Sequence, residues 1–205
     1  MLAAGALGWL NPLFALAGRP SHFALRAESH DPAMRALCGW IRTNTPEDAV
    51  FLASPLLEGF TLYARRADVV NFKQATFTRA ELREWFERIC RLSRLGRWAE
   101  DLPEAQWGEP QAVLPHLREI RFRVDPQAAI AQGYDALSAA QARDLARRYG
   151  ARYFIARSGL QYGELALAGE AGGYRIYDFG SKQDLQADSM PTRRIAPGEW
   201  SARPM

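Results

Sequence analysis

The sequence predicts an α/β fold for residues 30–180, a small three-layer domain with about three parallel strands and a C-terminal antiparallel hairpin. Three short apolar runs between turn signals are typical of buried strands. Helical segments separate these runs, and this alternation favours parallel pairing through right-handed crossovers. Two more short runs flank a glycine-rich stretch and predict the hairpin. Apolar residues make up 48 % of the chain, which is enough to fill a core.

Each predicted strand is bounded by residues that favour turns. Pro55 follows the first apolar run, AVFLA, and Gly150 precedes the third, ARYFIA. The hairpin strands lie on either side of residues 169–173, which contain three glycines. We therefore expect parallel strands at residues 49–53, 67–72 and 151–156, and hairpin strands at residues 164–168 and 174–178.

Three longer helices begin at capping residues. Asp31 followed by Pro32 suits the first turn of a helix. Two later segments begin with a Thr or Ser that is followed three residues on by Glu or Gln, which is a capping box. We expect helices that begin at Asp31, Thr78 and Ser138 and end near Asn44, Gly96 and Gly150, and a short helix or turn at residues 59–66.

Residues 97–135 carry the weakest pattern. Trp98, Trp107 and four prolines indicate an irregular insertion. Within it, residues 120–124 alternate weakly between apolar and polar types, which predicts an edge strand.

The charge pattern argues against nucleic-acid binding. The net charge is +3, but arginines are spread along the chain among 23 acidic residues, and the lysines are Lys73 and Lys182 alone. Nucleic-acid binders usually cluster their positive charge on one face or in one run. We therefore expect no nucleic-acid partner.

The cysteine and histidine positions do not form a metal-binding pattern. Cys38 and Cys90 fall on the apolar faces of predicted helices, and neither belongs to a CxxC motif. Two buried thiols are the favoured interpretation, with a disulfide as the alternative. We expect no metal and no cofactor.

The N-terminal segment, residues 1–19, is apolar and has no charge before Arg19. Eighteen apolar residues are about the shortest length that spans a membrane. A cleaved signal peptide and the end of a longer transmembrane helix are the other interpretations. We expect this segment to attach the protein to a membrane, with residues 181–205 as a loose tail.

Familiar catalytic motifs do not occur in the sequence, which has no GxGxxG, GxxxxGK[ST], GxSxG or HExxH. Ligands of open α/β sheets bind beyond the carboxyl ends of the strands. We expect Glu58 and Lys73 to lie close together there, and Arg66, which precedes the second strand, is the weakest candidate. No catalytic residue is assigned, and the candidate binding residues are Glu58, Tyr63, Arg66, Asn71, Lys73 and Arg157.

Residues 40–73, WIRTNTPEDAVFLASPLLEGFTLYARRADVVNFK, carry a resemblance. A Trp and a Thr-Pro precede a buried strand, and a Gly-aromatic pair then leads to an Arg and a second strand. This order resembles the soluble region of oligosaccharyltransferase-type (GT-C) glycosyltransferases. It is more similar to C-terminal domains of uncharacterised bacterial multi-pass membrane proteins. The residues that carry it are Trp40, Thr45, Pro46, residues 49–52, Gly59, Phe60 and Arg66.

The resemblance implies an extracytoplasmic domain of a larger multi-pass membrane protein, of the kind that includes lipid-linked sugar transferases. Its partner would be the membrane-embedded part of the same protein, and its role would be to bind an acceptor or partner without catalysis. The Trp-Trp-Asp-Tyr-Gly acceptor motif of oligosaccharyltransferases is replaced here by residues 55–59, PLLEG. The alternative is a stand-alone α/β enzyme or binding protein for an anionic small molecule, with Arg66, Lys73 and Arg157 as the anion clamp.

Overall fold

The computed structural model describes residues 31–73 and 78–180. The predicted membrane segment and the C-terminal tail lie outside them. The strands are β1 (Val50–Leu52), β2 (Ala67–Asp68), β3 (Tyr153–Arg157), β4 (Ala166–Ala171) and β5 (Tyr174–Asp178). The helices are α1 (Pro32–Asn44), α2 (Phe60–Ala64), α3 (Arg79–Ser93), α4 (Pro110–Val113), α5 (Leu117–Arg123), α6 (Pro126–Asp135) and α7 (Ala139–Tyr149), with 3-10 turns at Leu95–Trp98, Glu104–Gln106 and Leu114–His116.

The described strands form one mixed sheet in the order β2-β1-β3-β5-β4. Strand β1 runs parallel to β2 and to β3, with Phe51 opposite Asp68 and Tyr153. Strand β5 is antiparallel to both β3 and β4. The predicted fold class is therefore confirmed, including the C-terminal hairpin.

Alternating side chains of the sheet fill two separate cores. Phe51, Tyr153 and Ile155 face one core together with buried residues of α1 and α2. Leu52 and Phe154 face the other core, which is built from α3, α6 and α7. Helices thus cover both faces of the sheet, which explains why β1 and β3 are apolar without a polar alternation.

Local capping chemistry sets the helix boundaries as the sequence predicts. The Asp31 side chain accepts a hydrogen bond from the Ala33 amide at 2.9 Å. Ser138 and Gln141 form a complete reciprocal capping box at the start of α7. Gly150 ends α7 with φ of 66°, a left-handed conformation that glycine adopts without steric cost.

The predicted edge strand at residues 120–124 is wrong, because these residues belong to or follow helix α5. The alternation of Ile120, Phe122 and Val124 is misleading, since Phe122 is 79 % exposed. The residues that pack on the core are Leu117, Ile120 and Val124, spaced by three and four. That spacing is helical.

The predicted irregular insertion at residues 97–135 also needs correction, because it contains helices α4, α5 and α6. Helix α6 packs closely against α3 at Gly133, where a Cβ would collide with the backbone carbonyl of Ser93. Strand β2 is shorter than predicted, but Val70 just beyond it is buried. Helix α3 ends at Ser93, slightly before the expected Gly96.

Candidate functional site

The path of the chain places a crevice between β1 and β3. After β1 the chain passes through α2 on one face of the sheet to reach β2. After β2 the chain forms helices α3 to α7 and then enters β3. The buried residues of these helices pack on the opposite face of the sheet. In the sheet, β1 leads to β2 on one side and β3 leads to the hairpin strands on the other, so the connections of these two neighbouring parallel strands leave in opposite directions. Ligands of open α/β sheets bind at such a point, beyond the carboxyl ends of the strands.

A cavity of about 80 Å³ lies at this crevice. Ser54 directly follows β1, and Arg157 is the last residue of β3. Tyr134 and Asp135 from the end of α6, with Tyr174 at the start of β5, complete its polar lining. The geometry thus brings one hydroxyl, two phenols, one carboxylate and one guanidinium to a single small opening.

Tyr134 closes the floor of the crevice. Its hydroxyl lies 2.9 Å from the carbonyl oxygen of Leu52 and 2.8 Å from that of Ile155, which belong to β1 and β3. A phenol has one hydrogen, so the two carbonyls share it. Burial raises the pKa of Tyr134 well above its ordinary value. The side chain is thus a neutral link between the two strands.

Asp135 and Arg157 form an ion pair at the mouth of the crevice, with Oδ2 and Nε 3.4 Å apart. The Asp135 side chain is 26 % exposed and that of Arg157 is 65 % exposed. Burial raises the pKa of Asp135, while Arg157 acts in the opposite direction. Burial, and then the nearby Asp135 charge, raise the pKa of Tyr162 to about 12. This arrangement can donate and accept hydrogen bonds to a small polar ligand.

Glu58 and Lys73 meet as the sequence predicts. Lys73 Nζ lies 2.7 Å from Glu58 Oε2, with side chains that are 56 % and 61 % exposed. The loop after β1 is fastened to the segment after β2, since the Phe72 amide donates to the Pro55 carbonyl at 2.8 Å. The pair therefore lies on the surface beyond β1 and β2. Whether it binds anything stays a prediction.

Asn71 and Tyr63 have clear structural contacts. Asn71 is buried, and its side-chain oxygen accepts a hydrogen bond from the Lys73 amide at 3.0 Å. Its backbone carbonyl accepts the indole hydrogen of Trp85 at 2.9 Å. The Tyr63 ring lies over Gly59, and its carbonyl accepts a hydrogen bond from Arg42 at 2.7 Å. Both residues hold the segments around Glu58 and Lys73 in place.

Arg66 does not join the other candidates. It precedes β2 and so lies at the amino ends of the parallel strands, whereas Arg157 is the last residue of β3 and lies at their carboxyl ends. Its guanidinium is buried and donates to Thr45 Oγ1 at 3.2 Å and to the Thr45 carbonyl at 2.8 Å. The predicted anion clamp of Arg66, Lys73 and Arg157 is therefore not assembled.

The sequence interpretation did not select Tyr134, Asp135 or Tyr174 for the site. Tyr134 and Asp135 are the last two residues of the predicted irregular insertion, residues 97–135. One signal was present, since Asp125 and Pro126 form the same helix start as Asp31 and Pro32. A helix predicted to begin at Asp125 would carry Tyr134 and Asp135 in its last turn.

The described residues hold neither a helix that is long and apolar enough to cross a membrane nor a cluster of three His, Cys, Asp or Glu residues arranged to bind a metal ion.

Comparison with known proteins gives one match. Residues 32–92, which include α1, β1, α2, β2 and most of α3, match the model of a family described as Domain of unknown function (DUF6798). No curated protein and no solved structure matches the chain. The matched stretch contains the loop that carries Glu58 and the segment that ends at Lys73. The match spans 61 of the 205 residues of the chain.

Proposed function

We propose that this chain forms the extracytoplasmic domain of a larger multi-pass membrane protein, of the kind that includes lipid-linked sugar transferases. Its role is to bind an acceptor or partner beside the membrane-embedded part, without catalysis of its own. The observation that carries this proposal is the uncharged apolar run of residues 1–18 ahead of the α/β domain. A run of this length is suited to membrane insertion.

The residues that carry the resemblance have structural contacts, which supports a framework shared with those membrane proteins. Trp40 packs on Gly169 of β4, Phe60 is fully buried, and Arg66 joins Thr45 to the start of β2. These residues build α1, α2 and their junction with the sheet. The resemblance to multi-pass membrane proteins therefore rests on architecture, and acceptor binding does not follow from it.

The charges around the crevice favour binding over proton transfer. Asp135 is held by Arg157, and Glu58 is held by Lys73. Each carboxylate already has a cationic partner, so neither can take a proton from a ligand without giving up its ion pair. Such pairs instead fix the shape and polarity of a surface.

Membrane fractionation tests the attachment. The full-length chain is expressed in its native host, and membranes are washed with alkaline carbonate. We expect the protein to stay in the pellet. A Leu10→Lys, Leu13→Lys variant should be released, because each central lysine costs about 2.5–3.5 kcal/mol in a membrane helix. A Leu62→Lys, Leu167→Lys variant adds the same charge at exposed positions and should stay in the pellet. Recovery of the unmodified protein in the supernatant contradicts the proposal.

A second candidate function is the binding of a small anion at the crevice. The observation that favours it is the largely exposed guanidinium of Arg157 beside the cavity that Ser54 and Tyr174 also line. A thermal shift with inorganic phosphate tests it, since a ligand of the folded state raises the melting temperature by mass action. The shift should vanish in Arg157→Gln and persist in Arg175→Gln, whose guanidinium pairs with Glu170 on the hairpin.

A further inference from the structure

An exposed stripe runs along the helical segment from Pro110 to Arg123. Helix α4, a 3-10 turn and α5 follow one another there without a gap. Leu114, Arg118 and Phe122 recur at intervals of four residues, which places them on one side of a helix. The Arg118 guanidinium lies 5.9 Å from the centre of the Phe122 ring. We call this stripe the Phe122 surface, and it consists of Leu114, Arg118, Arg121 and Phe122.

The Phe122 surface is apolar and positively charged at once. Phe122 is 79 % exposed and Leu114 is 47 % exposed. Among the described residues, neither Arg118 nor Arg121 forms an ion pair. Two nearby acidic residues, Glu100 and Glu119, both pair with Arg123. Two exposed cations thus accompany an exposed aromatic ring.

The opposite side of the same segment explains why this surface is presented outward. Val113 and Ile120 are buried in the core shared with α3 and α6. Leu117 and Val124 pack against that core. The segment therefore packs on the core through its other side.

We propose that the Phe122 surface docks onto an anionic phospholipid surface. Helices that expose Phe or Leu together with Lys or Arg lie in the membrane interface, where the long basic side chains extend to the headgroups. The arginines complement the negative lipid headgroups, and Phe122 enters the boundary between headgroups and acyl chains. This contact goes beyond the attachment through residues 1–18. A linker of the length of residues 19–30 reaches at most about 40 Å, which sets the distance from that attachment at which docking can occur.

The test uses the full-length chain and a fluorescent reporter on the same stripe. Leu114→Cys is labelled with the environment-sensitive dye NBD, and the native Cys38 and Cys90 are buried and stay unlabelled. We expect NBD emission to rise and shift to the blue with phosphatidylglycerol vesicles, and not with phosphatidylcholine vesicles. About 1 M salt, where the Debye length is near 3 Å, should reduce the change.

Matched labels and variants separate docking from simple attachment. Leu62→Cys, 61 % exposed on the helix α2 that packs on the other face of the sheet, should show no rise. On the Leu114→Cys background, Arg118→Gln with Arg121→Gln should lower the docked-to-free ratio by at least about tenfold, since each arginine contributes roughly fivefold. Phe122→Ser should lower it as well. If the protein sediments with the vesicles while the label at 114 does not respond, docking is refuted and membrane attachment stands.

Discussion

Arg66 and Thr45 are joined by two hydrogen bonds, from Nε to the Thr45 hydroxyl at 3.2 Å and from Nη2 to its carbonyl at 2.8 Å. Nη2 also donates to the carbonyl of Arg42 at 3.3 Å. These carbonyls are at the C-terminal end of α1, where backbone acceptors have no partner within the helix. A cation at this end is also favoured by the helix dipole. Arg66 therefore fastens α1 to the start of β2.

Replacement of Arg66 by Met should lower the free energy of unfolding by about 2–4 kcal/mol, because buried carbonyls lose a charged donor. Arg66→Lys should recover only a part of this loss, since one ammonium group cannot reproduce a planar fork of donors. Urea denaturation followed by circular dichroism measures both effects. Arg35→Met, on the exposed side of α1, is the control. Equal stabilities for the Arg66 and Arg35 variants would show that the buried network contributes nothing.

Gly172 and Gly173 form a matched pair at the tip of the hairpin. Both have positive φ, 59° and 78°, so alanine at either position costs roughly 1–2 kcal/mol of backbone strain. A Cβ at Gly172 would also collide with the backbone of Ala33 at the start of α1, while a Cβ at Gly173 meets open space. We expect Gly172→Ala to lower the stability by about 2–5 kcal/mol and Gly173→Ala by about 1–2 kcal/mol.

The same denaturation experiment compares the two glycine variants. Indistinguishable unfolding curves would mean that the hairpin does not pack against α1 as described.

Much of the fold follows from local chemistry that a single sequence displays. Asp31, Ser138 and Gly150 act through neighbours within a few residues, and their roles as helix boundaries are confirmed. Helix α5 could not be found in this way, because Phe122 interrupts its apolar pattern on the solvent side. Its assignment depends on packing in the core that it shares with α3, which ends at Ser93, well before α5 begins at Leu117.

The Glu58–Lys73 ion pair should contribute little to stability. Both side chains are more than half exposed, and such pairs contribute about 0–1 kcal/mol. A double-mutant cycle with Glu58→Gln and Lys73→Met should give a coupling energy below about 1 kcal/mol, which shrinks further in salt. A coupling of several kcal/mol would mean that the pair is desolvated, in a partner interface or in a site.

The candidate site shows where prediction from sequence stops. The proximity of Glu58 and Lys73 could be predicted from the sequence. Each residue follows a parallel strand, and the carboxyl ends of parallel strands lie on the same side of a sheet. The contacts of Asp135 with Arg157 and of Tyr134 with β1 and β3 could not be predicted, since they join residues over 20 positions apart through α6. Arg66 has the same charge as Lys73, and only its tertiary contacts show that it is structural.

Cys38 and Cys90 should be unreactive in the folded protein. Burial raises the pKa of the Cys38 thiol to about 11 and raises that of Cys90 further. The thiolate is the reactive form, so at pH 8 native Cys38 should react with a disulfide reagent about 100-fold more slowly than the unfolded chain. The introduced Leu62→Cys should react rapidly. Because the folded thiol pKa is raised, stability from Cys38 is present below about pH 9 and is lost as the pH rises towards 11. Fast reaction of both native thiols would contradict their burial.

The central claim, that the domain lies on the extracytoplasmic side of a membrane, is tested most directly by a thiol-labelling measurement. Leu167→Cys places a single exposed thiol on β4, since Leu167 is 55 % exposed and the native cysteines are buried. The full-length variant is treated with a membrane-impermeant maleimide in spheroplasts of its native host, before and after lysis. The account predicts complete labelling of membrane-bound protein in intact spheroplasts. Labelling that appears only after lysis would contradict it.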